Sequence, residues 1–273
     1  MYEELYEGLS PQMLDAYLAR VGLTDTRLAP TRESLDTLIY AHQLAVPFDT
    51  LDSSDFGLVV SLATRDIFEK LITRRRGGYC FELNGLFDKL LGALGFTTRS
   101  CLARAVINRD YLPPCLHRMP IVELDGVLHL ADVGFGGPLP ASSLPLEVGI
   151  HTDRLGERFR LSRDAPSSWL LERQTGEAWQ RLLLFDDLPR LEVDFVTPNY
   201  YCCMAPDSHF VLNRIVNLRT PGGATQIFNT TFKQTTKGET TERPIAEAAD
   251  LRDLLAQHFG ITIHREVSLR RDA

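Results

Sequence analysis

The chain has 273 residues, 44% of them hydrophobic and 24% charged, and its formal net charge is −7. These proportions are close to those of soluble globular proteins, and they exclude a disordered chain, a collagen-like repeat and a coiled-coil rod. The acidic balance argues against a nucleic-acid-binding protein, because a surface that faces phosphates needs a basic excess.

No stretch of the sequence approaches the roughly 18 consecutive apolar residues of a membrane span. The N-terminus is acidic and lacks the basic and apolar regions of a signal peptide. Five cysteines are few for this length, and their odd number argues against a disulfide framework. We therefore expect a cytoplasmic protein with reduced thiols and with no membrane or nucleic-acid partner. The length predicts two or three modules.

The first ninety or so residues have the apolar spacing of helices. Ser10-Pro11 is typical of a helix start, with serine as the N-cap and proline in the first turn. Helices are predicted at 11–21, from Thr31 to just before Pro47, across 67–72 and from Cys80 to Leu94. Three arginines at 74–76 are expected to end the third helix as a solvated basic turn.

After Gly95 the pattern changes to the period of two that is typical of strands. Strands are predicted at 97–108, 117–124, 127–134, 169–173, 179–185, 210–218 and 225–232. A closing helix is predicted to begin at Pro244 and to end at Gly260. Helices, then regularly spaced antiparallel strands, then a small mixed region indicate an α+β protein with a barrel or sandwich.

Cys80 is the first candidate for chemistry. It follows a glycine pair and opens an apolar helix, so its sulfur would lie where free backbone N–H groups and the positive end of the helix dipole point. That placement favours the thiolate, which is the reactive form of a thiol. The alternative is a buried cysteine that only packs, so the hypothesis needs a partner base.

The turn of a predicted hairpin supplies the register for that search. Asp125-Gly126 between two strand-like runs is typical of a two-residue type I′ turn. Such a turn pairs Leu124 with Val127 and fixes the pairing of every residue farther along the two strands.

In that register Asp132 lies opposite Met119, and His117 is its diagonal neighbour on the same face of the sheet. His129 stands at an odd offset from Asp132 and points to the opposite face. His117 is therefore the candidate base for Cys80, and Asp132 is the carboxylate that would orient it.

Other candidate sites have weaker support. The segment DVGFGG at 132–137 lacks the spacing of a P-loop, although its backbone can approach a substrate closely. Cys202-Cys203 with His209 lacks the ligand spacing of a zinc site, so no metal is expected. Ser208 beside His209 lacks the turn motif of a serine hydrolase.

These residues, taken together, resemble the arylamine N-acetyltransferase family of the bacterial type. The similarity is carried by RGGYCFELN at 76–84, His117 and DVGFGG at 132–137, with VPF at 46–48 and SHF at 208–210. The resemblance implies a helical domain at 1–95 with Cys80, an antiparallel β-barrel at 96–200 with His117 and Asp132, and an α/β lid at 201–273. The core would resemble that of a cysteine protease.

The resemblance also implies the reaction and the remaining site residues. The thiolate would take the acetyl group of acetyl-CoA, the co-substrate, and pass it to an aromatic amine or hydrazine by ping-pong kinetics, in xenobiotic metabolism and without a metal. The acceptor pocket would be formed by Phe48, Ala105, Phe135, His209 and Phe210, and the coenzyme contacts by Gly136, Gly137 and His209. Ala105 stands where the family commonly has a valine, which would open the pocket wall slightly.

Three alternatives stay open at this stage. An amide synthase would use the same three residues on a carrier-bound polyketide chain and close a macrolactam. A papain- or transglutaminase-like enzyme also has Cys, His and Asp or Asn in this order. A binding module with a structural Cys80 would have no chemistry.

Overall fold

The protein is described by a computed structural model over residues 2–24 and 26–269. In this part of the chain the α-helices are α1 (Pro11–Arg20), α2 (Arg32–Ala45), α3 (Leu51–Ser54), α4 (Thr64–Phe68), α5 (Cys80–Ala93), α6 (Val196–Met204), α7 (His209–Leu212) and α8 (Ala248–Phe259). The strands are β1 (Phe48–Asp49), β2 (Thr97–Ala105), β3 (His117–Leu124), β4 (Val127–Leu130), β5 (Leu144–Pro145), β6 (Gly149–Thr152), β7 (Arg158–Ala165), β8 (Ser168–Thr175), β9 (Ala178–Phe185), β10 (Ile215–Thr220), β11 (Gly223–Phe228), β12 (Thr231–Thr236) and β13 (Glu239–Pro244).

The N-terminal helices begin where their caps predict. The Ser10 hydroxyl accepts the Met13 N–H at 3.3 Å, and the Thr31 hydroxyl accepts the Ser34 N–H at the same distance. Helix α4 does not continue as one α-helix but passes into a π-helical turn, Glu69–Thr73. These elements pack around α5, which is buried along most of its length rather than on one stripe.

The middle of the chain forms an eight-stranded antiparallel sheet in the order β5-β4-β3-β2-β9-β8-β7-β6. The two edge strands, β5 and β6, follow each other directly in the chain. The sheet must therefore curl until its edges meet, which makes a nearly closed barrel. Its interior is filled by alternate residues of the strands, among them Met119, Phe159 and Leu171.

The last part of the chain forms a second antiparallel sheet in the order β1-β10-β11-β12-β13, with α8 packed on one face. The edge strand β1 comes from the N-terminal region, where Phe48 also bridges to Gly78 just before Cys80. This sheet is therefore tied directly to the loop that precedes the candidate nucleophile. The predicted α+β class with its barrel is confirmed.

Several element boundaries differ from the prediction. The segment predicted as a strand at 210–218 begins with the helical turn α7, because the Ser208 hydroxyl accepts the Phe210 N–H as an N-cap. The segment predicted as one strand at 225–232 is two strands joined at Asn229, whose φ is 51°. Pro244 ends the edge strand β13 rather than starting the last helix, as a residue without an N–H can do at a sheet edge.

Candidate active site

Cys80 is the first residue of α5, in a loop held by close backbone packing. A Cβ at Gly77 would collide with the Pro47 carbonyl oxygen, and one at Gly78 would lie 2.8 Å from the Glu82 carboxylate, which explains the glycine pair. The Tyr79 N–H donates to the same Glu82 carboxylate at 3.1 Å, so one free donor of the helix start is satisfied. Cys80 is only 2% exposed.

The predicted hairpin register is confirmed over the four pairs of the ladder, whereas the predicted pair of Met119 with Asp132 lies beyond its end, because β4 ends at Leu130 rather than at 134. Asp125 and Gly126 both have positive φ, as a type I′ turn requires, and Leu124 pairs with Val127. The ladder ends near Pro120, which has no N–H to donate.

His117 and Asp132 meet in a direct hydrogen bond. His117 Nε2 lies 2.5 Å from Asp132 Oδ2, and both side chains are buried. Burial lowers the pKa of His117, but the charge and hydrogen bond of Asp132, together with the Cys80 sulfur as an acceptor, outweigh it and raise the pKa to about 10. The arrangement therefore favours an imidazolium that lies between the carboxylate and the sulfur.

The carboxylate of Asp132 is held in place by Asn84, a residue that the sequence reasoning did not single out. Asn84 Nδ2 donates to Asp132 Oδ1 at 2.8 Å and to the Arg118 carbonyl at 2.6 Å, and its Oδ1 accepts the Val133 N–H at 2.9 Å. The Gly134 N–H donates to the same Asp132 oxygen at 2.8 Å. Asn84 lies one helical turn after Cys80, and this spacing is the signal in the sequence that could have indicated its place in the site.

A buried ion network lies under the loop before Cys80. Lys70 Nζ is 2.7 Å from both Asp52 and Glu82, and Arg76 pairs with Asp52 and Asp49. Burial raises the pKa of Glu82 to about 7, although Lys70 opposes that shift. Arg76 is thus not part of a solvated basic turn, as the sequence suggested, because buried carboxylates hold it.

Three predicted phenylalanines form an aromatic group beside this site. The Phe135 ring lies edge-on to the His117 ring at 5.3 Å between centroids. Phe48 and Phe210 are 6.2 Å apart, and Phe210 packs edge-on against Tyr79 at 5.6 Å. A Cβ at Gly136 would come within 2.8 Å of the Phe48 ring, so this loop and that ring are in tight contact.

The two remaining predicted pocket residues lie farther out. Burial lowers the pKa of His209, as does the charge of Arg109, and its ring stacks on that of Phe228 at 6.4 Å. Ala105 is the last residue of β2, where it pairs with Leu183. The structure gives neither residue a contact with the Cys80 sulfur.

A cleft of about 640 Å³ opens on the other side of the aromatic group. Its wall includes Phe48, Gly136 and Gly137, with Arg219 and Lys237 across from them. Cys80, His117 and Asp132 do not line this cleft, whereas Phe48, which bridges to Gly78 in the loop before Cys80, does.

Within residues 2–24 and 26–269, no group of three or more His, Cys, Asp or Glu side chains is arranged to hold a metal ion. Over the same residues, no helix has both the length and the apolar character needed to cross a membrane.

Comparison with known proteins gives one consistent result. A family model described as N-acetyltransferase matches residues 31–268. An arylamine N-acetyltransferase / N-hydroxyarylamine O-acetyltransferase of Salmonella typhimurium is 34% identical over 254 residues, which are 92% of this chain and 89% of the relative. The arylamine N-acetyltransferase of Mycolicibacterium smegmatis is 33% identical over 255 residues, with 92% of each chain covered.

Solved structures agree with these relatives. The Salmonella typhimurium enzyme superposes with a TM-score of 0.85 at 33% identity, over 93% of this chain and 92% of that one. The Mycobacterium marinum arylamine N-acetyltransferase in complex with CoA superposes with a TM-score of 0.84 at 31% identity, over 91% and 92%. None of these findings supports the amide-synthase alternative. The chain is an acyltransferase that belongs to the arylamine N-acetyltransferase family.

Proposed function

We propose that the protein acetylates aromatic amines and arylhydrazines with acetyl-CoA, through an acetyl group carried on Cys80. The observation that supports this most directly is the hydrogen bond between His117 and Asp132, together with Cys80 at the start of a helix and near enough to His117 to raise its pKa. In a chain of this family, those three side chains are the nucleophile, the proton carrier and the residue that orients it.

In the first half-reaction the Cys80 thiolate attacks the thioester carbonyl and coenzyme A leaves. The imidazolium of His117 stabilises the thiolate beforehand and protonates the leaving sulfur. The backbone N–H of Cys80, at the positive end of α5, is a suitable donor to the oxyanion.

In the second half-reaction an aromatic amine attacks the acetyl-Cys80 thioester. Aromatic amines are unprotonated at neutral pH, so His117 needs only to accept the proton that is lost as the new amide forms. Phe48, Phe135 and Phe210 offer ring edges and faces against which a flat aromatic acceptor can pack. His209 and Ala105 remain proposed contacts at the outer rim of this pocket.

The coenzyme would enter along the cleft that Gly136 and Gly137 line. The glycines leave room for the backbone to approach a pantetheine chain, and Arg219 and Lys237 supply local positive charge in an otherwise acidic protein. We propose that the helical, barrel and lid segments at 1–95, 96–200 and 201–273 meet at this cleft. The five free thiols suit a reducing compartment such as the cytoplasm.

Intact-protein mass spectrometry after brief incubation with acetyl-CoA tests the intermediate. Wild type is expected to gain one acetyl group and to lose it when an arylamine is added. Cys80→Ala is expected to gain none, whereas Cys101→Ala, which removes a buried thiol in the barrel core, is expected to behave like wild type. Wild type that gains no acetyl group, or Cys80→Ala that gains one, would refute the proposal.

Steady-state kinetics tests the order of events separately. Two half-reactions that share one covalent intermediate predict parallel lines in a double-reciprocal plot of rate against either substrate. Intersecting lines would indicate direct transfer within a ternary complex. His117→Gln is expected to reduce the rate of Cys80 acetylation by about 10²–10⁴-fold, since it removes the proton carrier.

A further inference from the structure

A second thiol lies next to Cys80 and has no part in the proposed reaction. The Cys80 sulfur is 3.6 Å from the Leu116 carbonyl oxygen, and the Cys202 sulfur is 4.0 Å from the same oxygen. Both cysteines belong to one hydrophobic cluster and are free thiols. The two sulfurs are therefore neighbours across a single backbone oxygen.

The proximity has an electrostatic consequence as well. Burial raises the pKa of the Cys202 thiol, and the negative charge of Cys80 raises it further. Cys202 thus remains a neutral thiol while Cys80 is the thiolate, and it does not compete with Cys80 for the acyl group.

The adjacent Cys203 faces a different environment. Its sulfur lies 3.5 Å from the Tyr79 hydroxyl and 3.5 Å from the Val60 N–H, on another side of α6. Successive residues of a helix point in directions about 100° apart, so only the first cysteine of the pair faces Cys80. The two cysteines are adjacent in the sequence, but their thiols lie in different surroundings.

We propose that Cys202 is a resolving cysteine, which forms a reversible disulfide with Cys80 when a peroxide oxidises the nucleophile. This inference rests on the thiolate reactivity proposed for Cys80 and goes beyond acetyl transfer. In the first step the Cys80 thiolate attacks one oxygen of the peroxide and the O–O bond breaks, so that Cys80 becomes a sulfenic acid. The hydroxide or alkoxide that leaves takes a proton from the His117 imidazolium and departs as water or an alcohol.

In the second step the Cys202 sulfur attacks the Cys80 sulfur and the S–O bond breaks. The hydroxyl group takes up the thiol proton and leaves as water, so one S–S bond replaces one S–H and one S–O bond. Each thiol can change between staggered rotamers to bring the sulfurs together. Both thiols are buried, but Cys202 remains a neutral thiol, which peroxide oxidises more slowly than it does a thiolate.

The disulfide would store the nucleophile in a form that a dithiol can reduce. Without a resolving thiol, a sulfenic acid that meets a second molecule of peroxide is oxidised to the sulfinic acid, which thiols do not reverse. The pair therefore converts a permanent loss of activity into a temporary one.

Hydrogen peroxide at a few equivalents, followed by alkylation of the remaining thiols under denaturing conditions, tests the pair. Wild type is expected to lose its activity, to take up two alkyl groups fewer than the reduced protein, and to yield a Cys80–Cys202 linked peptide on digestion. Dithiothreitol is expected to restore the activity. Cys202→Ala is expected to be inactivated without recovery and to carry sulfinic acid on Cys80, whereas Cys203→Ala should follow wild type.

Two results would overturn the proposal. One is the accumulation of sulfinic acid at Cys80 in the wild-type protein while no Cys80–Cys202 linked peptide forms. This result can be observed without any variant. The other is full recovery of Cys202→Ala by dithiothreitol. A chain that is acetylated normally by acetyl-CoA but forms no linked peptide refutes only the resolving role, while absence of acetylation refutes the proposed function instead.

Discussion

Replacing Asn84 by alanine tests whether the site depends on a residue that touches no substrate. The Asn84 side chain is fully buried and makes three hydrogen bonds, to Asp132, Arg118 and Val133. Two of these partners are neutral backbone groups, worth about 1 kcal/mol each, and one is a carboxylate, worth about 1.5–3 kcal/mol. Asn84→Ala is therefore expected to lower the free energy of unfolding by about 3–5 kcal/mol.

The effect of Asn84→Ala on the reaction follows from one lost hydrogen bond alone, the one to the Asp132 carboxylate. Asp132 Oδ1 loses one of its two donors and keeps the Gly134 N–H, so the carboxylate is free to rotate away from His117. Loss of a charge-assisted bond of about 1.5–3 kcal/mol corresponds to about 10–100-fold. We expect kcat/KM for acetyl-CoA to fall by that factor.

Asn199→Ala is the matched control. Asn199 is also a buried asparagine, bonded to the Tyr79 hydroxyl and the Val60 carbonyl, and has no contact with Asp132. It is expected to lose stability with kcat/KM unchanged within about threefold when rates are compared well below either unfolding midpoint. Single-turnover acetylation of Cys80 provides the rate, and urea unfolding the stability. A wild-type rate in Asn84→Ala, or equal losses of rate in both variants, would show that Asn84 has no positioning role.

Three further expectations concern charge and packing. The pKa of His117 is about 10 in the folded protein against about 6.5 unfolded. The ion pair of charged His117 with Asp132 therefore contributes its full stabilisation below pH ~6.5 and loses it as the pH rises through about 10. The difference in urea stability between wild type and His117→Gln should shrink over that range, and a constant difference would contradict the raised pKa. Gly136→Ala and Gly126→Ala each place a side chain at positive φ, at a cost of about 1–2 kcal/mol, but only the first also collides with an aromatic ring. Gly136→Ala should unfold at lower temperature than Gly126→Ala, and equal midpoints would argue against the contact. Lys70→Met leaves the buried Glu82 carboxylate without its cation, whereas Asp52 keeps Arg76, and the change is expected to cost about 3–5 kcal/mol in urea unfolding. The matched change Arg65→Met at an exposed ion pair should cost less than about 1 kcal/mol, and similar losses would refute the role of burial.

Local chemistry made the hairpin and the helix starts predictable. Asp125-Gly126 allows one turn geometry, and that turn sets which residues of β3 and β4 face each other. Ser10 and Thr31 accept backbone donors within their own turns. The relation between His117 and Asp132 could therefore be predicted from a short segment.

Features that depend on distant contacts were not predictable in this way. Five strands were missed, namely β1, β5, β6, β7 and β13. They are short or carry many exposed polar side chains, and they exist through pairing with partners elsewhere in the two sheets. Helix α6 was not predicted, because Pro198 lies within its first turn. The proximity of Cys202 to Cys80 depends on how α6 packs into the hydrophobic cluster that also holds Cys80, which no spacing in the sequence encodes.

The pairing of β1 with β10 has a consequence for how the protein is made. Thr50, just after β1, is hydrogen-bonded to Asn213 from 163 residues farther along the chain. Contacts of such sequence separation form late and slowly, because a long loop must close before they stabilise anything. During synthesis Phe48 therefore has no strand partner until β10 has left the ribosome, when most of the chain has been made. The pairing of β1 with β10, next to the loop before Cys80, is thus among the last contacts of the enzyme to form.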